Sequence, residues 1–253
     1  MKIAIIGSGN IASFFANKIY KNYELTQIIS KNIEHAKQLS SKYKCQYSNN
    51  LEHLNNDLDV IIFAVKDDVL IELSKTYSFQ NKLVIHTAGS VDLDDIKSFS
   101  KNISCIWCIY SIQKDNLPTS DSIPLVVNAN NETSLNLVKK IAASISKNII
   151  QLSDEQKNIL HLAAVFANNF TNHLYVLSKQ ICEDHQIPFD ILKPIILNTA
   201  EKVQNQNPKL LQSGPAIRHD KQTMEKHLML IQNDNLKKLY SLLSTSIQQK
   251  TKI

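Results

Sequence analysis

Short apolar runs alternate with amphipathic ones through the first half of the chain. Lys2–Ile6 reads as a buried strand, and Ile11–Asn22 as a helix with Ile11, Phe14, Phe15 and Ile19 near helical spacing. Leu25–Ser30 and Asn32–Lys44 repeat that strand-then-helix pattern, and Val60–Val65, Leu83–His86, Asn102–Ile112 and Ile123–Val127 add further buried strands. Strands alternating with helices predict a parallel, doubly wound α/β sheet with helices on both faces. The texture changes near Leu152. Ser153 followed by Gln156 forms a capping box, and a helical pattern runs from there to about Asp184, stopped by Gln186-Ile187-Pro188. Phe189–Gln204, Lys221–Gln232 and Asn235–Gln249 also read as helical, with a Pro/Gly loop over Pro208–Pro215. The expected organisation is therefore a Rossmann-type dinucleotide-binding domain over residues 1–152 and an all-helical domain over 153–253.

Composition narrows the class without changing that picture. At 253 residues, 43% hydrophobic and 20% charged, the chain is neither disordered nor fibrous. No apolar stretch reaches the ~20 residues of a membrane span, and the run opening at Met1 is too short for a signal peptide. Four cysteines do not make a disulfide scaffold at this length, so the expected compartment is the cytoplasm. A net charge of +5 carried by scattered lysines points to neither nucleic acid nor membrane. Two scarcities are more informative. There are four glycines, Gly7, Gly9, Gly89 and Gly214, where about 18 would be usual, and one arginine, Arg218. A glycine kept in such a chain marks a positive φ or a close backbone approach, and a lone arginine marks a need for its forked donors.

Gly7-Ser8-Gly9-Asn10-Ile11-Ala12 stands between the first strand and the first helix, as the dinucleotide fingerprint G-x-G-x-x-A. Gly7 permits the tight turn, Gly9 lets backbone approach a pyrophosphate, and Ala12 allows close helix packing. The helix N-terminus of Asn10 and Ile11 supplies free N–H donors for the anion. The second strand ends Ser30-Lys31-Asn32, with no carboxylate to take a ribose 2′-hydroxyl. Ser30 and Lys31 therefore suit a 2′-phosphate, and NADP(H) is the expected cofactor, although Lys31 is also one of many solvated lysines. Ala64-Val65-Lys66, at the end of a later strand, is placed to pack along the nicotinamide side. His86, before Thr87-Ala88-Gly89-Ser90, either contacts substrate or satisfies strand-end backbone groups. Cys105 and Cys108 form a C-x-x-C within a strand, where residues three apart face opposite sides, so both are read as core and no metal is expected.

On the long helix, His161, Asn168 and Asn172 fall within about 40° of one another at 100° per residue, with Asn169 about 80° from His161. An imidazole and carboxamides on a mainly apolar face need partners, whether substrate, nicotinamide, loops or a neighbouring subunit. Ser213–Asp220 holds the last glycine and the single arginine. Arg218, with Asp220, either clamps an anionic substrate group or forms a structural pair.

Over nearly its whole length the chain resembles the Rossmann-like/DUF2520 family, assigned as NADP-dependent oxidoreductases. The resemblance rests on Gly7–Ala12, His86–Ser90, the stretch from His161 to Leu174, and Ser213–Asp220. It departs from the family pattern at His219, where Gly is usual, at Tyr110-Ser111, where Pro is common before the Gln, and at Lys31, where Arg is frequent. The family is similar to pyrroline-5-carboxylate reductase and F420-dependent NADP reductases in its first domain, with a helical second domain that tends to dimerise. The resemblance implies NADP(H) as cofactor but no particular reaction. The residues themselves suggest hydride transfer to or from a small C=O or C=N group, with His161 as general acid/base and Asn169 and Asn172 orienting the substrate or nicotinamide. The helical half, with its long apolar helix, leads to the expectation of a homodimer through that domain. The alternatives are a non-catalytic NADP(H) sensor, which needs no proton donor beside the nicotinamide, and a reductase using a deazaflavin as second cofactor.

Overall fold

The computed structural model describes residues 1–249. Its chain forms two compact units, Met1–His173 and Leu174 onward. The division falls inside the long helical run, so the first helix of that run packs with the sheet instead of beginning a separate body.

The first unit is built on eight strands: β1 (Lys2–Ile6), β2 (Glu24–Ile29), β3 (Gln46–Ser48), β4 (Val60–Phe63), β5 (Leu83–His86), β6 (Asn102–Cys108), β7 (Leu125–Ala129) and β8 (Ile149–Gln151). They lie in the order β3-β2-β1-β4-β5-β6-β7-β8. All neighbours are parallel except β6 and β7, which run antiparallel in the register Ser104↔Ala129 to Cys108↔Leu125. A wholly parallel sheet was expected. The difference has a simple cause: no helix lies between β6 and β7, and a return without a crossover helix reverses the strand. The order reverses at β1, and in such sheets ligands bind outside the strand ends at that point.

Helices α1 (Asn10–Ile19), α2 (Ile33–Tyr43), α3 (Asp67–Thr76), α4 (Glu132–Ala143) and α5 (Asp154–Ala164) complete the unit. Two cores follow from strand alternation. Ile3, Ile5, Val60 and Ile62 face one side, with Phe14, Phe15 and Ile19 of α1 and Val138 and Ile141 of α4. Ala4, Ile6, Ile61 and Phe63 face the other, with Leu70 of α3, the segment Val91–Phe99 and, at its margin, Leu160 and Ala164 of α5. Cys108 belongs to the first core and Cys105 to the second, as the strand spacing predicts. Burial pushes both thiols up to about 12, so both stay protonated and inert.

The capping box of α5 is present: Ser153 accepts from the Gln156 N–H, and the Gln156 side chain accepts from Ser153 N–H. The long run is one helix with a π turn, Val165–Phe170, between α5 and α6 (Thr171–Asp184). Thr171 Oγ1 donates to the Phe166 carbonyl at 3.1 Å, five residues back, across that wider turn. The second unit continues with α7 (Lys193–Asn205), α8 (Pro208–Leu211), α9 (Lys221–Leu230) and α10 (Asp234–Gln248). Among the described residues no helix is long and apolar enough to cross a membrane.

Candidate active site

The β1–α1 turn is shaped by contacts that a side chain would destroy. Gly7 has φ +127°, and a Cβ there would lie 2.2 Å from the Ala64 carbonyl oxygen. Its N–H donates to Ile29 O at 2.7 Å, tying the turn to the end of β2. At Gly9 a Cβ would meet nothing within 4 Å, so the backbone faces open space. Gly9 caps α1 without a side-chain hydrogen bond, and the first turn of α1 carries no acidic residue. The helix N-terminus is left free for an anion. Ser8 and Ser30 share a hydroxyl hydrogen bond of 2.7 Å. Asn10 Oδ1 accepts from the Lys114 N–H at 3.1 Å, anchoring the β6–β7 loop to this turn.

These residues open onto a cavity of about 880 Å³, whose wall includes Gly7–Ile11, Ser30, Lys31 and Ala64–Lys66. Every position expected to bind cofactor thus lines one space. The fit to a dinucleotide is good: a glycine cradle, an uncapped helix N-terminus, and a β2 end bearing hydroxyl and ammonium groups with no carboxylate at its tip. Asn49 and Leu51 also line it; they come from the segment after β3, a short edge strand with no sequence signal of its own.

A second cavity, of about 560 Å³, adjoins the first. Trp107, Cys108, Tyr110 and His161 line both. The Trp107 and His161 rings lie 5.4 Å apart between centroids, inclined by 53°. Gly89 makes this possible, because a Cβ there would lie 2.5 Å from His161 Cδ2 and 2.8 Å from Trp107 Cε2. Asn168 and Asn169 line the second cavity with His161. Asn172 does not; it is exposed and off that wall. A regular helix would place it there, but the π turn uses more residues per turn and rotates later positions away.

His86 also departs from expectation as a substrate contact. It is fully buried, and both ring nitrogens lack a hydrogen-bond partner. Burial first, then the nearby Lys157 charge, lowers its pKa to about 3, so the ring is neutral and offers no surface to a substrate. The alternative reading fails too, since it satisfies no backbone group. Trp107 was missed by sequence reasoning, and Tyr110 entered it without a role. Their available signal was position: a lone Trp and an exposed Tyr at the carboxyl end of a strand in a doubly wound sheet.

In the second unit, Asp220 is committed to capping α9, accepting from Thr223 N at 3.0 Å and from Thr223 Oγ1 at 2.7 Å. Those bonds, with smaller help from Arg218 and Lys226, hold its carboxyl below the usual range. Arg218 is exposed, and no ion pair joins it to Asp220 among the described residues. His219 has φ 54°, the left-handed region where glycine is the usual occupant. Among the described residues no group of three or more His, Cys, Asp or Glu side chains is placed to hold a metal ion.

Two family models match. Residues 2–89 match the model described as NADP oxidoreductase coenzyme F420-dependent, and residues 123–247 match Domain of unknown function DUF2520. A Bacteroides fragilis protein assigned as an NADP oxidoreductase is 32% identical, with TM-score 0.90 over 98% of each chain. A Thermotoga maritima protein is 22% identical, with TM-score 0.81 over 98% of each chain. An imine reductase from Myxococcus stipitatus, solved with NADP+, shares the fold at 12% identity and TM-score 0.68, over 98% of this chain and 93% of that one. Among curated proteins none matches the sequence.

Proposed function

This chain belongs to the family of NADP oxidoreductases that joins an N-terminal dinucleotide-binding region to a DUF2520 domain, and on that premise we propose that it reduces or oxidises a small C=O or C=N substrate. Its cofactor is NADP(H), which supplies the hydride donor or acceptor at its nicotinamide. Gly7–Ile11 bind the pyrophosphate through backbone N–H groups and the α1 dipole. Ser30 and Lys31 hold the 2′-phosphate, and Ala64–Lys66 pack along the nicotinamide side.

The observation that carries the reading is the wall shared by the two cavities. His161 stands on it, able to face a cofactor on one side and a substrate on the other. Its imidazole gives a proton to, or takes one from, the substrate oxygen or nitrogen. Asn169 orients the substrate, with Asn168 taking the part first given to Asn172. Trp107 closes the space behind His161 and keeps water from it.

For an anionic substrate, Arg218 is the proposed clamp. Arg218→Lys is then expected to raise KM for carboxylate substrates and leave neutral ones unchanged; equal KM values for both would remove the clamp. We assign a homodimer to the helical unit, whose exposed apolar residues include Ile191, Ile195, Leu197 and Leu242. Light scattering showing a monomer would contradict it. We place the protein in the cytoplasm, where its four free thiols stay reduced.

The test is calorimetric titration with NADPH and NADH, then NADPH oxidation with cyclic imines and keto acids. Preferential NADPH binding with turnover supports the enzyme. Binding without turnover on any of these supports a sensor.

A further inference from the structure

We infer that Asp154 and Lys157 are positioning residues, which fasten α5 to the segment after β5 and so set where His161 stands against Gly89 and Trp107. The geometric half of this inference stands alone, and only its effect on turnover rests on the proposed role of His161.

Lys157 is fully buried, which lysine almost never is. Its Nζ pairs with Asp154 Oδ1 at 3.0 Å and also donates to the Val91 carbonyl. Asp154 Oδ2 accepts from the Leu93 N–H at 2.9 Å, and its Oδ1 accepts from Asn128 Nδ2 at 3.2 Å. The next residue along, Asn158, donates to Asp92 Oδ1 at 2.9 Å. Three successive residues, Val91, Asp92 and Leu93, are thereby fixed to the first turns of α5.

The two ends of this fastening lead straight to the shared wall. His161 follows Lys157 by four residues, on the same face of α5. Gly89 precedes Val91 by two residues. The clearance between them is less than one carbon atom, since a Cβ at Gly89 would lie 2.5 Å from His161 Cδ2. A buried ion pair adds little net stability over an apolar pair of similar volume, so the geometry it specifies is the better account of its presence. Burial would raise the Asp154 carboxyl, but the Leu93 N–H, Lys157 and Asn128 outweigh it and hold the group ionised. His86 and Cys105, the other titratable groups coupled to this pair, stay neutral near pH 7: burial takes the first down to about 3 and the second up to about 12.

The chain's single tryptophan, Trp107, reports the result. The His161 ring holds the indole in one asymmetric setting, with ring centroids 5.4 Å apart, so the cofactor-free full chain is expected to show a near-ultraviolet circular dichroism band from Trp107. His161→Gln should remove most of that band. The double variant Asp154→Leu/Lys157→Met replaces the pair with apolar groups and is expected to fold cooperatively. It should lose most of that band, bind NADPH with a Kd near wild type, and turn over a cyclic imine about tenfold or more slowly. Asp154→Asn, closer in shape, serves as the second variant and should lose a smaller part.

A folded double variant with the full wild-type band would overturn the inference. So would a wild-type chain whose band His161→Gln leaves unchanged. Loss of the band with imine turnover unchanged would leave the positioning intact and reject His161 as the proton donor.

Discussion

Around the β1–α1 turn the cavity wall is backbone and small side chains: Gly7 against the Ala64 carbonyl, Gly9 open to space, Ser8 bonded to Ser30. Around Trp107 the wall is made of large side chains from β6 and the α5 run, brought together over Gly89. Under the proposed function, the first region holds the cofactor by N–H groups that local chain geometry aims. The second holds its reactive groups by side-chain packing and helix register. Substitutions should therefore act differently in the two regions. Near the turn only an added Cβ or a lost charge matters. On the shared wall, displacement by one atom or rotation by one residue matters.

The largest expected effect tests the second region. His161→Ala should lower kcat by about 10²–10⁴-fold on an identified substrate, with the NADPH Kd little changed. Full turnover would remove the imidazole from the chemistry. Gly89→Ala should approach the lower end of that range, about 100-fold, because its Cβ must displace the His161 or Trp107 ring. Wild-type kcat in that variant would mean the contact is not needed.

The helix register gives a sharper contrast of smaller size. Asn169→Ala should cost about tenfold in kcat/KM, and Asn172→Ala nothing beyond error. The reverse order would mean that the run acts as a regular helix, without the π turn that carries Asn169 to the cavity.

These residues also show why one region was legible in the sequence and the other less so. The β1–α1 turn is local: strand, glycines and helix lie within a few residues, so fold class and cofactor loop could be read directly. The edge strands β3 and β8 span three residues each and carry no periodic signal. The antiparallel β7 depends on the absence of a crossover helix, and the π turn on how the run settles against its neighbours. Rotation at 100° per residue placed Asn168 beside His161 correctly and failed at Asn172, beyond the π turn. His86 ends an apolar strand, but only the assembled sheet shows its ring sealed between Phe63 and Cys105 in register.

That sealed ring makes a prediction about stability. The folded pKa of His86 is lowered from 6.5 to about 3, so below the unfolded value the unfolded chain binds a proton that the folded chain refuses. The contribution is neutral above that value and destabilising as pH falls toward the folded pKa, by about 1.4 kcal/mol per pH unit. Denaturant unfolding of His86→Phe should lack this part of the slope above the carboxylate range. An unchanged slope would mean the ring protonates in the folded state.

The smallest effect belongs to the first region. Lys31 is exposed, so Lys31→Ala should weaken NADPH by about threefold to tenfold and leave NADH unaffected. Equal losses for both would move the 2′-phosphate contact elsewhere.

The central claim, that NADPH lies in the glycine-lined cavity with its nicotinamide toward the wall shared by Trp107 and His161, is tested most directly by energy transfer. Trp107 is the single tryptophan, and its emission overlaps dihydronicotinamide absorption. Titration with NADPH should quench Trp107 saturably and raise nicotinamide emission. NADH should need far higher concentrations, and Gly7→Ala should abolish the signal. NADPH binding seen by calorimetry with no transfer from Trp107 would contradict the account.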